Sequence, residues 1–332
     1  MARLGKGKVL DLEELESQLG ANRFPEFIDR CERDFQEQVQ GILEKAAYNP
    51  RLKMVFLSGP TSSGKTTFAR RFVDGLAKLG RPCKQISIDD YYLARATQYD
   101  EQGRPDYESE SALDLALLTQ HLQELSEGKT VRLPTFDFKT RTRVYEQDCD
   151  YTLPENTILL IEGLHALSDR LAPHLEDEER LFLFIMPNAT LYQDSMMLGR
   201  SDLRKLRRIC RDTFHRSTSA LATLDFWPII AKTEDQIIMP YLAKADYYIN
   251  SALPYAYCIL APIAYKQLGL SLEQYHKGDL APSPNVRPGL FYADLNSAIK
   301  DATRLYHCCE NIPMVSADLV PQDSILQEFI GS

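Results

Sequence analysis

The stretch RLKMVFLSGPTSSGKTTFARRF, residues 51–72, joins an apolar run to glycines, small hydroxyl residues and one lysine, then resumes a helical pattern without a break. Met54–Ser58 reads as a strand and Phe68 onward as a helix. GPTSSGKT, residues 59–66, therefore sits in the strand–turn–helix setting that separates a G-x-x-x-x-G-K-[ST] phosphate loop from a chance match. In this reading Gly59, Pro60, Thr61, Ser62, Ser63, Gly64, Lys65, Thr66 and Thr67 form an ATP-binding loop. The glycines let backbone N–H groups curl around phosphates, and the helix N-terminus adds favourable partial charge. Lys65 reaches the β and γ phosphates, and Thr66 offers its hydroxyl to Mg²⁺. The competing account, a glycine-rich turn without a ligand, is weak against the full motif in this context.

Around the loop, residues 54–58, 84–88, 157–161 and 181–185 are short, bulky and apolar with little alternation, the mark of strands buried on both faces. Helical patterns lie between them: Phe68, Phe72, Leu76 and Leu79 before Gly80, and Leu113, Leu117, Leu118, Leu122 and Leu125 before Gly128. Strands alternating with helices imply an α/β fold, a parallel sheet with right-handed crossovers. Ligands of such sheets gather at the carboxyl ends of the strands. Residues 11–48 read as helix, with Ile28, Cys31, Phe35, Val39, Ile42 and Ala46 on one stripe and Asn49-Pro50 as terminator. The stripe falls short of four heptads, so a helix packed on the following domain is favoured over a coiled-coil seam.

The 332 residues carry a net charge of −9, with 44% hydrophobic and 26% charged side chains. This is an ordinary soluble composition, and the acidic balance argues against generic nucleic-acid binding. Seven scattered cysteines show no C-x-x-C spacing and read as reduced thiols in the cytoplasm. The N-terminus lacks the apolar stretch of a signal peptide, and no apolar run approaches membrane-spanning length. No membrane is expected as a partner.

Two further strand ends carry acids. KQISIDDYYL puts Asp89 and Asp90 directly after a buried strand, on the phosphate-loop side of the sheet. A carboxylate there can accept the proton of an attacking hydroxyl or hold a metal through water. The bland alternative is an N-cap, and Asp90, one residue further on, suits that better. TILLIEGLHAL ends a strand in Glu162, where phosphate-loop proteins keep the acid that organises Mg²⁺. His165 reads as a local hydrogen-bonding residue. Farther along, SDLRKLRRICRDTFHR sets Arg204, Arg207, Arg208 and Arg211 at helical spacing, opposite Leu203, Leu206 and Cys210. In an acidic chain the cluster is expected to meet transferred phosphate, with Arg211 and Arg216 preferred; pairing with neighbouring surface acids is the plain alternative.

Taken in order, GPTSSGKTT, ISIDDYYL, GRPDYESESALD, EGKTVRLPTFDF, LLIEGL, LRRICRD and AKADYYIN resemble the uridine-cytidine kinases and the wider group that includes phosphoribulokinase. The resemblance covers about residues 52–252. It is strongest to bacterial uridine-kinase-like proteins that often carry a threonyl-tRNA-synthetase-like N-terminal region, which this sequence lacks; SILQEFIGS also resembles theirs. The resemblance implies that Asp89 is the acid–base residue, that Glu162 organises magnesium, and that Arg211 and Arg216 are lid arginines touching phosphates. Asp89 and Thr66 complete the metal set. Tyr107 and Glu108 stand where the family has a Phe-Asp pair whose acid grips ribose hydroxyls. Phe136 and Arg141 stand where it uses tyrosine and histidine against the pyrimidine, and Tyr92 and Phe138 join the same substrate set. The sequence departs from the pattern: Glu108 is a methylene longer, Phe136 lacks a hydroxyl, Arg141 only donates, and HRSTS replaces the lid's R-G-R.

The resulting expectation is a helical N-terminal extension over 1–50, a P-loop kinase domain over 51–270 with a lid at about 198–230, and a C-terminal loop and helical segment over 271–332. The chain would transfer the γ-phosphoryl group of ATP–Mg²⁺ to a hydroxyl of a small acceptor, with uridine or cytidine leading, as in pyrimidine salvage. One rival keeps the chemistry but takes a sugar phosphate, an inositol or another alcohol. A second is a regulator that binds ATP without turning it over. A GTPase switch is disfavoured because no N-K-x-D motif occurs. Homo-oligomer formation is left open.

Overall fold

The computed structural model describes residues 7–93, 98–137, 140–171 and 173–331. Phe138, placed above in the substrate set, lies outside the described residues. Three elements come first: β1 (Lys8–Asp11), α1 (Leu12–Ser17) and α2 (Arg23–Tyr48). Then β2 (Met54–Ser58), α3 (Lys65–Lys78) and β3 (Cys83–Ser87) make a β-α-β unit, and α4 (Leu115–Ser126) follows. Two small antiparallel pairs lie next. They are β4 (Thr130–Arg132) with β7 (Asp150–Thr152), and β5 (Thr135–Asp137) with β6 (Thr142–Val144). The chain continues through β8 (Ile158–Glu162), β9 (Arg180–Met186), β10 (Ala189–Gln193) and β11 (Ser195–Leu198). Helices α5 (Asp202–Arg216), α6 (Ala220–Thr233) and α7 (Met239–Tyr241) precede β12 (Tyr247–Asn250). Beyond it come α8 (Ala256–Lys277), α9 (Leu295–Glu310) and α10 (Gln327–Ile330).

Five strands form the central sheet in the order β12-β9-β2-β8-β3, and every pairing is parallel. Every residue of β2 and β8 is buried. The two-residue period of a strand sends alternate side chains to opposite faces. Val55, Leu57, Leu160, Leu183 and Ile185 join a core built with α2, α3, α5, α8 and α9, whereas Met54, Phe56, Leu159, Ile161 and Phe184 join one built with α4. This two-sided burial explains the continuous apolar runs in the sequence.

Two of the expected divisions are corrected. The segment 1–50 is not purely helical: β1 pairs in parallel with β10 in a second, three-stranded sheet β1-β10-β11. The helical reading of 11–48 breaks after α1, where Gly20 adopts φ 137°, and Asp11 caps α1 by accepting from the Glu13 N–H at 2.9 Å. α2 buries Phe24, Ile28, Cys31, Phe35, Val39 and Ile42, so its stripe is a packing face. Position 270 is not a boundary, because α8 runs unbroken from Ala256 to Lys277. Leu280, Ala298, Leu305, Ile325, Leu326 and Phe329 belong to the same core as Val55 and Leu57. The proline-rich loop at 277–290 marks a change of direction within one hydrophobic body.

Phe329 is fully buried beside this core. Phe329→Ala is expected to lower the unfolding free energy by about 3–5 kcal/mol, because the vacated volume stays partly empty. Urea denaturation followed by circular dichroism measures it; a loss below about 1 kcal/mol would mean that the C-terminal segment is not part of the core.

Candidate active site

β2 delivers the chain into the phosphate loop at a point with no room for a side chain. A Cβ on Gly59 would stand 2.0 Å from the Ile185 carbonyl oxygen, so only glycine lets β2 and β9 stay paired there. The loop turns through left-handed residues, Ser62 at φ 57° and Gly64 at φ 90°, and α3 starts at Lys65. The Lys65 ammonium folds back over the loop and donates to the carbonyls of Gly59 (2.8 Å) and Pro60 (3.1 Å). The hydroxyls of Ser62 and Ser63 are buried and have no partner among the described residues. Buried donors left open in a nest suit an anion. Thr66 is exposed at the lip of the same turn.

The loop is braced from outside by the basic helix, which corrects the lid reading. Arg204, Arg207 and Arg208 are 3%, 0% and 6% exposed, so α5 is buried on its basic as well as its apolar face. Arg208 donates to the Thr61 hydroxyl at 2.9 Å, and the guanidiniums of Arg204 and Arg207 lie 3.5 Å from the Thr61 and Ser62 carbonyls. Arg207 also donates to the Ser251 carbonyl (2.7 Å), while the Ser251 hydroxyl donates to the Ser63 carbonyl (2.6 Å). Arg204 pairs with Glu234, and Arg208 with Asp212 at 3.2 Å. Their spacing marked a charged face, but carbonyls and acids folded over that face. Burial holds Arg207 and Arg208 down at about 10. Arg211 and Arg216 differ: Arg211 lies 3.3 Å from Asp212 and 3.8 Å from Glu328, and the exposed Arg216 lies 3.6 Å from Asp212.

Register brings the acids to the loop. Glu162 on β8 stands opposite Leu57 of β2 on one side and Ser87 of β3 on the other. The Ser87 hydroxyl donates to its carboxylate at 3.0 Å. Asp89 follows two residues after Ser87, in a 3₁₀ turn, Ile88–Tyr91, at the mouth of the cleft. Burial pushes Glu162 up to about 7, and the negative charge of Asp89 adds to the effect. The protein mass around the cleft raises Asp89 as well, although its side chain keeps contact with solvent; Lys65 opposes that shift and Glu108 reinforces it. Lys65 is lowered by burial against the pull of Glu162, Asp89, Glu328 and Glu108. Two carboxylates thus face one ammonium. No group of three His, Cys, Asp or Glu residues with metal-binding geometry occurs among the described residues. The arrangement suits Mg²⁺, which takes one or two carboxylates plus substrate phosphates, with Thr66, Asp89 and Glu162 as the residues able to hold it. Asp90 is not a helix cap: it accepts from the Phe136 N–H at 3.1 Å and ties β5 to the turn.

Tyr92 is the hub of the acceptor side. Its hydroxyl donates to the Tyr107 carbonyl at 3.0 Å. Burial raises its phenol well above the ordinary range, with Asp89 and Glu108 adding to the shift and Arg141 and Arg216 opposing it. The Arg141 guanidinium lies 3.9 Å from the Tyr107 ring centroid, and Arg141 itself adopts φ 55°. Phe136 is corrected: its ring is 5% exposed and packs on Tyr92 at 5.6 Å, so it floors the cleft and offers little surface to an acceptor. His165, buried, donates from Nε2 to the Glu108 carbonyl at 2.7 Å and fixes that loop. Sequence reasoning missed Ser87, Ser251 and Glu328. Ser87 was legible as the residue two before Asp89 on a strand, whereas the other two lie far along the chain.

A phosphate loop with its lysine, beside carboxylates at neighbouring ends of one parallel sheet, defines the class of P-loop kinases. The chain belongs to the phosphoribulokinase / uridine kinase family, whose model matches residues 54–254. It is 28% identical over 195 residues to a uridine kinase of Staphylococcus aureus (strain JH9), covering 58% of this chain and 84% of that relative. A solved structure of a possible uridine kinase from Bacillus stearothermophilus superposes with a TM-score of 0.44 at 16% identity, covering 65% of this chain and all of that one. D-glycerate 3-kinase from Cryptococcus neoformans var. grubii gives 0.34 at 13% identity, covering 86% and 89%. At such overlap neither structure bears on the acceptor.

The pH dependence of stability follows from Glu162, which titrates at about 7 in the folded chain against an ordinary value of 4.5. The folded state holds this proton more tightly than the unfolded one. Its stability therefore falls as pH rises from about 4.5 to about 7, and the loss is complete above that. Glu162→Gln, neutral throughout, is expected to exceed wild type in metal-free buffer by roughly 2–4 kcal/mol near pH 8, with the gap closing toward pH 5. Urea titrations across this range measure it; a gap independent of pH would contradict the assignment.

Proposed function

We propose that this chain transfers the γ-phosphoryl group of ATP to a hydroxyl of a small polyol-containing acceptor, with uridine or cytidine as the leading acceptor and the 5'-monophosphate as product. The observation that supports it most is the meeting of Lys65, Asp89 and Glu162 at one edge of the sheet, Glu162 being in register with the residues that precede the phosphate loop and Asp89. Lys65 and the loop amides hold the β and γ phosphates. Asp89 takes the proton of the attacking hydroxyl as that oxygen bonds to the γ-phosphorus and the bond to the β–γ bridging oxygen breaks, releasing ADP. Thr66, Glu162 and Asp89 would hold Mg²⁺, which when bound offsets the charge of the phosphate oxygens. Arg211 and Arg216 stabilise the transferring group and exclude water. Seven free thiols, none in a disulfide, support a reducing, cytoplasmic setting.

On the acceptor side, this reading gives Glu108 the task of accepting from ribose hydroxyls, with Tyr92 and Tyr107 as walls. A second reading, an acceptor that carries an anionic group such as a sugar phosphate, is favoured by Arg141. Its guanidinium stacks on Tyr107 and has no ion-pair partner among the described residues.

Asp89→Asn is expected to reduce kcat by about 10²–10⁴-fold while ATP still binds, and Lys65→Ala to abolish turnover with the fold intact. An ATP-consumption assay over nucleosides, sugars and sugar phosphates identifies the acceptor. Turnover of a nucleoside supports the leading reading, turnover only of phosphorylated acceptors supports the second, and undiminished turnover in Asp89→Asn would contradict both.

A further inference from the structure

The C-terminal segment reaches the phosphate loop from the far end of the chain. Ile325, Leu326 and Phe329 are fully buried, and Ile325 lies 3.6 Å from where a Cβ on Gly64 would stand. The Arg207 guanidinium, which braces the loop, also lies 5.1 Å from the Phe329 ring centroid. Between these anchors the partly exposed Glu328 faces the site. The Thr67 hydroxyl donates to its Oε2 at 3.4 Å, Arg211 stands 3.8 Å from its Oε1, and its charge is felt by Lys65 and Glu162.

The direction in which a nucleotide lies across the loop follows from its chemistry. Lys65 serves the β and γ phosphates, and the γ group must face Asp89, where the acceptor hydroxyl is deprotonated. The α phosphate then lies at the first turn of α3, at Thr67, and the nucleoside leaves past it toward Glu328. Three buried apolar neighbours fix the backbone that carries this carboxylate, and Thr67 and Arg211 draw the carboxylate itself toward the first turn of α3. Against phosphate oxygens it would only repel. The groups on the donor nucleotide that can satisfy it are hydrogen-bond donors, and those nearest the α phosphate are the ribose hydroxyls.

We propose that Glu328 is the ribose-recognition residue of the phosphoryl donor, accepting from its 2' or 3' hydroxyl and selecting ribonucleotides over deoxyribonucleotides. This rests on residues 59–67 being the ATP site. Glu328 thus acts on donor binding and not on proton transfer, so its loss is expected in KM and not in kcat.

The test is isothermal titration of the full chain, in Mg²⁺ buffer without acceptor, with ATP, 2'-deoxy-ATP and 3'-deoxy-ATP, for wild type and Glu328→Gln. Circular dichroism melting serves as the control for folding. Wild type is expected to bind ATP at least about tenfold more tightly than one of the deoxy forms, as fits a hydrogen bond to a charged acceptor. Glu328→Gln should weaken ATP by about the same factor, leave the deoxy form nearly unchanged and so erase the preference. In steady state its KM for ATP should rise while kcat stays within about twofold. Four results would overturn the assignment: ATP binding in Glu328→Gln equal to wild type, binding tighter than wild type (a carboxylate that merely competes with phosphate), a deoxy preference that survives the substitution, or a wild type that does not discriminate. Failure of wild type to bind ATP at all would overturn the nucleotide-site reading itself.

Discussion

Two carboxylates and one ammonium share the carboxyl edge of the central sheet, and this unbalanced charge governs the rest of the molecule. Parallel pairing forces it: Glu162 on β8 is in register with both β2 and β3, so the phosphate loop, Glu162 and Asp89 cannot lie far apart once the sheet forms. The surrounding protein then raises Glu162, which is buried, and Asp89, which keeps contact with solvent, and lowers the half-buried Lys65. Such a site is destabilising on its own and is relieved by a ligand that brings both a cation and an anion. A metal–nucleotide complex does so, which is the physical reason for reading this edge as a kinase site.

Rigidity behind the loop is the second requirement. Buried arginines from α5 hold the Thr61 and Ser62 backbone from outside, Ser251 holds Ser63, and the C-terminal segment closes the side next to Gly64. The basic helix therefore divides its work. Arg204, Arg207 and Arg208 shape the nest, whereas Arg211 and Arg216 remain near the charges of the cleft. A loop held on several sides presents its amides without reorganisation when phosphate arrives.

Much of this was legible in the sequence where a residue's role is local. Strand runs such as Met54–Ser58 declare themselves because both faces are buried, and the phosphate loop because its glycines and lysine are adjacent. Asp89 and Glu162 could be placed because a residue just past a parallel strand has one available side of the sheet. What escaped depends on contacts between distant segments. β1, only four residues long, becomes a strand only because β10 offers an edge. The arginines of α5 were read as a lid over transferred phosphate because the carbonyls that receive Arg204 and Arg207 lie in distant segments, at Thr61, Ser62 and Ser251. Phe136 fell at a base-contacting position through the resemblance alone, and packing on Tyr92 took its surface away. Glu328 sits 261 residues from Thr67, and although SILQEFIGS stood out by resemblance, nothing in it ties this acid to the phosphate loop.

The most direct test of the central claim is a crystal structure of the chain with Mn²⁺ and β,γ-imido-ATP, with the metal located by anomalous scattering. The account predicts the triphosphate within the loop of residues 59–67, the metal between Thr66 and Glu162, and the γ-phosphate turned toward Asp89. A metal bound elsewhere, or a γ-phosphate pointing away from Asp89, would contradict it.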